Sequence, residues 1–316
     1  MISSLQLAKI CGVSQGTVDR ALHDRGGISQ KTRKLILDAA KKHGYLANPA
    51  ARELMTGKSQ WAGAILPSMT SPFFSHLFEA IREKLSENGI RLLWTSASSD
   101  DEVIEILSDF AARRTRAAIL VPPDSSLVIP ANLAKSLRIF CLVNPISSAN
   151  VTNLYPDEFM TGYAGTEYLF GKGHRKILYM NYSRKSQANA DRLNGYLSFM
   201  GKKKLKPEVM EPFVPEELIR LCRSEKGPTV IFCHNDWLAM NVMRSLEAGG
   251  IRIPGDISVL GVDNSPSFNA LCSGITTLEY PYMEIATVVA DSIASGRRIR
   301  KHAFAPFKII ERDTVA

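Results

Sequence analysis

Nowhere in these 316 residues do about eighteen apolar residues run together, the length a membrane-spanning helix needs. The start, Met1-Ile2-Ser3-Ser4-Leu5, also lacks the zones of a signal peptide. A cytoplasmic chain is therefore expected. Cysteine is scarce: Cys11, Cys141, Cys222, Cys233 and Cys272 are scattered, odd in number and never in Cys-x-x-Cys spacing. They read as reduced core residues, not as a disulfide framework or a zinc site. The six histidines show no metal-ligand spacing, and His234-Asn235-Asp236 has no serine or cysteine elbow nearby. Gly171-Lys172-Gly173-His174 is too short for a dinucleotide fingerprint and follows a helical pattern instead of a strand. No solenoid repeat or low-complexity tract occurs. These absences leave no enzyme chemistry, no metal and no cofactor to expect.

Acid is scarce in one place only. The first 58 residues hold ten Lys and Arg against Asp19, Asp24, Asp38 and Glu53, which is six of the chain's formal +8. A basic head on a near-neutral body is the electrostatic footprint of a nucleic-acid module joined to something else. Within the head, Ser3 or Ser4 caps a helix to Cys11, with Leu5, Ala8 and Ile10 or Cys11 inward. Gly12 breaks it, and Ser14 starts a second helix to about His23, with Val18, Ala21 and Leu22 inward. A third helix runs from Ser29 to Gly44 with Leu35, Ile36, Ala39 and Ala40 apolar. Helix, three-residue turn, helix is the spacing of a helix-turn-helix.

Asn48-Pro49-Ala50-Ala51-Arg52-Glu53-Leu54-Met55 is a helix start followed by barely two turns, ended by Thr56-Gly57. A helix this short is marginal alone. Beyond it, short apolar strand runs alternate with amphipathic helices: Ala62–Pro67, Arg91–Trp94, Ala117–Val121 and Ile139–Val143 are strands, then Ile177–Met180, Thr229–Cys233 and Ile257–Val262. A last strand is expected over Phe304–Ile310. That alternation implies parallel sheets covered on both faces, and the length implies two doubly wound α/β lobes.

Gly12-Val13-Ser14-Gln15-Gly16-Thr17-Val18-Asp19-Arg20-Ala21-Leu22, then Gly27-Ile28-Ser29-Gln30-Lys31-Thr32-Arg33 and Gly44-Tyr45, resembles the head of the lac-repressor (LacI/GalR) family of bacterial transcription regulators. The likeness continues along nearly the whole chain. It implies a helix-turn-helix DNA-binding domain over 1–46, a hinge helix over 47–58 and an effector-binding and dimerisation body over 59–316 of the periplasmic-binding-protein type I fold. Crossings between lobes fall near Pro156, Glu279 and Arg300, so the N-lobe spans about 61–156 and 281–300 and the C-lobe about 157–280 and 301–316.

Carried over residue by residue, the resemblance puts Gln15 and Gly16 where the family's recognition helix reads base edges, and Arg20 on a family arginine. Gly16 has no side chain with which to read. Asp19, where the family usually has Ser, either accepts from a cytosine amine or orients Arg20; orientation is favoured. Ser14 and Thr17 serve phosphates. Asn48 and Arg52 belong to the hinge helix, and Leu54 falls on the leucine that wedges into the minor groove.

In the body, Phe73 and Phe74 stand in Ser71-Pro72-Phe73-Phe74, Arg192 matches a family arginine that holds the effector, and Asn144, Asn235, Trp237 and Asp263 follow strands. Ligands of doubly wound sheets sit at such strand ends. Asp263 would accept from hydroxyls, Arg192 donate, and Asn235 do both, which suits a sugar or sugar derivative. Asp236 is read as a helix cap. Trp237 is either cavity wall or lobe packing, and Phe73 and Phe74 cannot both leave the core. The amide of Asn235 leans towards a saccharide over a purine, since the family's purine-responsive branch tends to lack it. The expectation is a nucleoid-associated homodimer on a pseudo-palindromic operator, not a tetramer, because no heptad helix follows the last strand. A purine- or other metabolite-responsive regulator, or a solute-binding protein without regulatory role, is the alternative.

Overall fold

A computed structural model of the chain describes residues 2–22, 24–45, 59–123, 126–181, 186–266, 274–299, 301–304 and 308–316. It divides into two compact units, Met1–Lys58 and Ser59–Ala316. The hinge read from the sequence, with Asn48, Arg52 and Leu54, lies outside the described residues.

Among the described residues the first unit holds three helices, α1 (Ser4–Cys11), α2 (Gln15–Leu22) and α3 (Gln30–Lys42). Ser3 and Gln6 form a capping box at the start of α1, each side chain accepting from the other's backbone N–H. Gly12, at φ 64, ends that helix in the left-handed region that glycine adopts without strain. Ser14 accepts from the Thr17 N–H at 3.1 Å, and Ser29 from the Thr32 N–H at 3.1 Å, so two further N-termini are satisfied by side chains. Leu7, Ala8, Val18, Ala21, Ile36 and Ala40 close the core. The inward faces differ from those expected: Leu5 is 54% and Leu35 52% exposed, and Ile10 is exposed too. The capping box fixes where α1 begins, and that phase turns Leu7, Ala8 and Cys11 inward together.

The second unit opens with β1 (Trp61–Leu66), α4 (Pro72–Glu87), β2 (Arg91–Ser96), α5 (Asp100–Ala112), β3 (Ala118–Leu120), α6 (Ala131–Ser136), β4 (Ile139–Leu142) and β5 (Val151–Pro156). It continues through α7 (Glu158–Gly171), β6 (Ile177–Met180), α8 (Gln187–Lys202), β7 (Glu208–Met210), α9 (Pro215–Cys222), β8 (Val230–Cys233), α10 (Asp236–Ala248), β9 (Ser258–Asp263) and β10 (Thr276–Glu279). Last come α11 (Tyr282–Ser295), β11 (Lys301–Phe304) and β12 (Lys308–Ile310). Among the described residues two six-stranded sheets result, ordered β11-β5-β4-β3-β1-β2 and β12-β10-β9-β8-β6-β7, and β12 alone of these strands runs antiparallel to its neighbour.

Strand residues alternate between two buried faces, as parallel sheets require. In β1, Ala62, Ala64 and Leu66 pack towards α4 and α11, and Ile65 towards α5. Gly63 is bare because the Phe110 ring lies where its Cβ would be, 2.1 Å away. The strand expected over Phe304–Ile310 is in fact two strands in different sheets, β11 beside β5 and β12 beside β10. The last crossing therefore lies between Phe304 and Lys308, not near Arg300, and 301–304 belong with the first lobe. Among the described residues no helix is long and apolar enough to cross a membrane, and Cys11, Cys141, Cys222 and Cys233 are free thiols.

Candidate functional site

On the head, α2 presents Gln15, Gly16 and Arg20 to solvent. The Gln15 amide nitrogen donates to the Ser4 hydroxyl at 2.8 Å, and the Ser14 and Thr17 hydroxyls lie 2.9 Å apart. Asp19, read as orienting Arg20, also accepts from the Arg25 guanidinium at 3.0 Å. Arg20 lies along the Gly27 backbone, its Nε 4.0 Å from where a Cβ would stand. A helix with one amide, one guanidinium and a bare glycine outward can reach base edges without a bulky side chain in the way.

The body holds a cavity of about 620 Å³, within the range of small-molecule sites. All seven body residues singled out in the sequence line it: Phe73, Phe74, Asn144, Arg192, Asn235, Trp237 and Asp263. They come from both lobes at the carboxyl ends of β1, β4, β8 and β9, with Arg192 supplied by α8. Phe74 is a buried core ring, whereas Phe73 is half-buried and packs edge-on to Tyr280 with centroids 4.8 Å apart. Trp237, 47% exposed, forms cavity wall.

Two strand ends carry backbone strain. Val143, a β-branched residue, sits at φ 66, and the Asn144 N–H closes a three-residue turn on the Leu142 carbonyl at 2.7 Å. That tight turn re-aims the chain so that Asn144 is buried against the cavity. Its amide nitrogen contacts the Pro122 carbonyl at 3.4 Å and its buried oxygen has no partner among the described residues. Asp263 is at φ 114 and only 6% exposed. Its carboxylate accepts no hydrogen bond from a described residue. Burial pushes this carboxyl well up; Arg192 pulls it down, and Asp236 and Glu158 push it further up. Such groups cluster where a ligand completes the hydrogen bonding.

The expected cap is corrected. Asn235, not Asp236, caps α10, its side-chain oxygen accepting from the Leu238 N–H at 2.9 Å. Its amide nitrogen donates to no described residue. Asp236 is buried one position on, accepting from the Thr277 hydroxyl at 2.7 Å and the Ser265 N–H at 3.3 Å. Gly261 leaves it room: a Cβ there would stand 2.1 Å from the carboxylate. Asp236 thus ties α10 to β9 and β10.

Glu158 escaped the sequence reading. As the first residue of α7 it passes for a first-turn acid that favours the helix dipole. The structure turns it inward, where its Oε2 accepts from Arg192 Nε at 2.8 Å and Nη2 at 2.6 Å. The two side chains are 4% and 5% exposed, and Arg192 Nη1 also donates to the His234 carbonyl. Burial pushes the Glu158 carboxyl up and Arg192 draws it back. Burial likewise opposes the Arg192 charge, but Glu158, with Tyr179 and Asp263, outweighs it and holds the guanidinium above its ordinary value. With contacts this short, we read both partners as ionised.

The crossing of α7 and α8 makes that pair possible. A Cβ on Gly162 would meet the Arg192 carbonyl oxygen at 1.9 Å, and one on Gly195 the Phe159 carbonyl oxygen at 2.0 Å. Both glycines let the helix backbones touch. His234 completes the floor, its Nδ1 3.1 Å from the Tyr179 hydroxyl. Burial, and then Arg192, drive its imidazole well below the ordinary range, so it is neutral here.

Comparison with known proteins agrees with this fold. A model described as bacterial regulatory proteins, lacI family, matches residues 6–48, and one described as periplasmic binding protein-like domain matches residues 166–315. The NTD biosynthesis operon regulator NtdR of Bacillus subtilis is 26% identical over 323 residues, covering 98% of each chain. The transcriptional repressor PurR of Mannheimia succiniciproducens is 24% identical over 290 residues, covering 88% of this chain and 86% of its own. A lac repressor dimer bound to operator and the anti-inducer ONPF superposes with a TM-score of 0.82 at 19% identity, covering 99% of each chain. A CelR–cellobiose complex does so with a TM-score of 0.64 at 19% identity, covering 99% of this chain and 100% of its own.

Proposed function

The chain belongs to the LacI/GalR family of bacterial DNA-binding transcription regulators, and from that premise we propose that its DNA affinity is set by an uncharged saccharide bound in the cavity between its lobes. The observation that carries this is the convergence of Phe73, Asn144, Arg192, Asn235, Trp237 and Asp263 on one cavity. Vicinal hydroxyls need donors and acceptors on several sides and an apolar face to stack on, and these residues supply all three. The Asp263 carboxylate and the Asn144 oxygen lack described partners, and a polyol offers the donors they need. The cellobiose in the CelR complex supports the same class. The PurR relatives favour a second reading, a purine effector.

The rest of the mechanism follows the family. Gln15 and Arg20 read base edges, Ser14 and Thr17 hold phosphates, and Asn48, Arg52 and Leu54 act in a hinge helix at the centre of a pseudo-palindromic site. Two chains bind as a cytoplasmic homodimer, and closure of the lobes on the effector changes the dimer interface and with it the hinge.

A thermal-shift panel of sugars, sugar phosphates and purines tests this reading, each hit being repeated with Arg192→Ala and Asp263→Ala. A saturable rise with one neutral sugar, lost in both variants, is expected. A response to purines alone would replace the saccharide by the second reading, and no response to any compound would overturn both.

A further inference from the structure

We infer that Glu158 is the residue that decides the charge class of the effector: by occupying Arg192 it makes the cavity refuse anionic groups such as phosphate. The inference deepens the effector reading above and rests on it for the site. Arg192 is the one guanidinium or ammonium group among the described lining residues, and His234 is neutral. A cavity built for a phosphate needs a cation whose charge the protein leaves for the ligand, commonly an arginine fork. Here both Nε and Nη2 of that fork already serve one Glu158 oxygen, and Nη1 serves the His234 carbonyl.

Formal charge reinforces the geometry. Glu158 neutralises Arg192, the one fixed cation of the lining, so an incoming anion meets no uncompensated positive charge. Both partners of the pair are almost fully buried, where like charges are weakly screened. A phosphate could take the Arg192 fork only by competing with the Glu158 carboxylate already seated on it. A neutral hydroxyl faces no such barrier, since it can share the remaining acceptor capacity of Glu158 and Asp263. Glu158 therefore acts on specificity through Arg192, as a positioning residue that also sets the sign of the field.

Glu158→Gln tests this with inorganic phosphate as the probe. The amide keeps the shape and one acceptor but leaves the Arg192 charge uncompensated, so a small anion should enter beside it. Wild type is expected to show no saturable phosphate site by titration calorimetry or melting shift. Glu158→Gln should gain one, with affinity at least ~10-fold tighter than wild type, and Glu158→Gln/Arg192→Gln should lose it again. The double variant also controls for the general stabilising effect of phosphate on proteins. A wild type that binds phosphate as tightly as the variant would overturn the assignment, as would a folded Glu158→Gln protein without a phosphate site. Should Glu158→Gln not fold, Asp263→Asn takes its place: it removes a carboxylate but leaves Arg192 paired. Refusal of phosphate by that variant sustains the assignment, and a gained site overturns it. Because phosphate itself is the probe, failure here leaves the saccharide panel untouched, and failure of that panel does not alter this result.

Discussion

Gly195→Ala should destabilise the body and weaken its ligand site, although alanine is the better helix former. The added Cβ would stand 2.0 Å from the Phe159 carbonyl oxygen and 2.7 Å from the Tyr163 nitrogen, against 3.4 Å or more for an ordinary contact. Both obstacles are backbone, so no side chain can swing aside, and the helices over 158–171 and 187–202 must separate by roughly 1 Å or more in a close-packed interior. Overpacking costs about 1–3 kcal/mol, and a backbone clash belongs at the upper end. The gain in helix propensity returns about 1 kcal/mol. The net loss is about 2 kcal/mol, which for a unit of this size lowers the melting temperature by roughly 4–8 °C. Thermal unfolding of the full chain by circular dichroism measures it. Gly201→Ala, in the same helix with no atom within 4 Å of the new Cβ, is the matched control and should melt at or slightly above wild type. A Gly195→Ala protein that melts no lower than wild type would refute the close-crossing argument, and with it the claim that this crossing holds Arg192 against Glu158.

Other consequences are as direct. Leu7→Ala removes a fully buried side chain from a core of six, at a cost of about 3 kcal/mol that so small a unit cannot absorb. DNA binding by gel shift should be lost while the melting of the body stays put, and retained binding would contradict the assigned core. Burial raises the Asp236 carboxyl from 3.8 to about 7, so between those values the folded chain binds more protons than the unfolded one. Stability contributed by this group is therefore lost as pH rises through that window and levels off above it. Subtracting the unfolding free energies of Asp236→Asn from wild type should give a curve that falls between pH 4 and 7; a flat curve would contradict the shift. Leu54→Ala should weaken binding to a specific operator while leaving salt-sensitive, non-specific binding largely intact, and an equal loss in both would count against the wedge.

Much of the architecture was legible because its signals are local. Ser29 before Gln30 and Gly12 after Cys11 punctuate helices by hydrogen bonding and by a positive φ, and neither depends on distant residues. The apolar runs of the strands over 139–142 and 230–233 record burial on two faces in the same way. What was misread depends on partners far along the chain. Leu5 and Leu7 are equally apolar, and only the Ser3–Gln6 capping box chooses between them. Phe304 to Ile310 reads as one strand until the segments over 151–156 and 276–279 claim its two halves. The strands over 151–156 and 208–210 carry polar and exposed positions and so lack the apolar run that marks their neighbours. Arg192 and Asp263, both lining the cavity, were singled out because they stand in a recognisable setting. Glu158 was missed because an acid at a helix start already has a local explanation. Its real partner is 34 residues away, across a glycine-lined helix crossing. Asn235 and Asp236 were exchanged for a related reason: either can cap a helix, and only the Thr277 hydroxyl decides which one turns inward.

The most direct measurement begins with genomic fragments enriched on the full-length protein, whose affinity is then determined with and without the saccharide that saturates the cavity. Coupling of the usual size, about 1–3 kcal/mol, corresponds to a change of roughly 5–150-fold. The account predicts a change of that order in either direction, abolished by Asp263→Ala in the presence of the same sugar. An affinity for DNA that does not move while the cavity is demonstrably filled would contradict it.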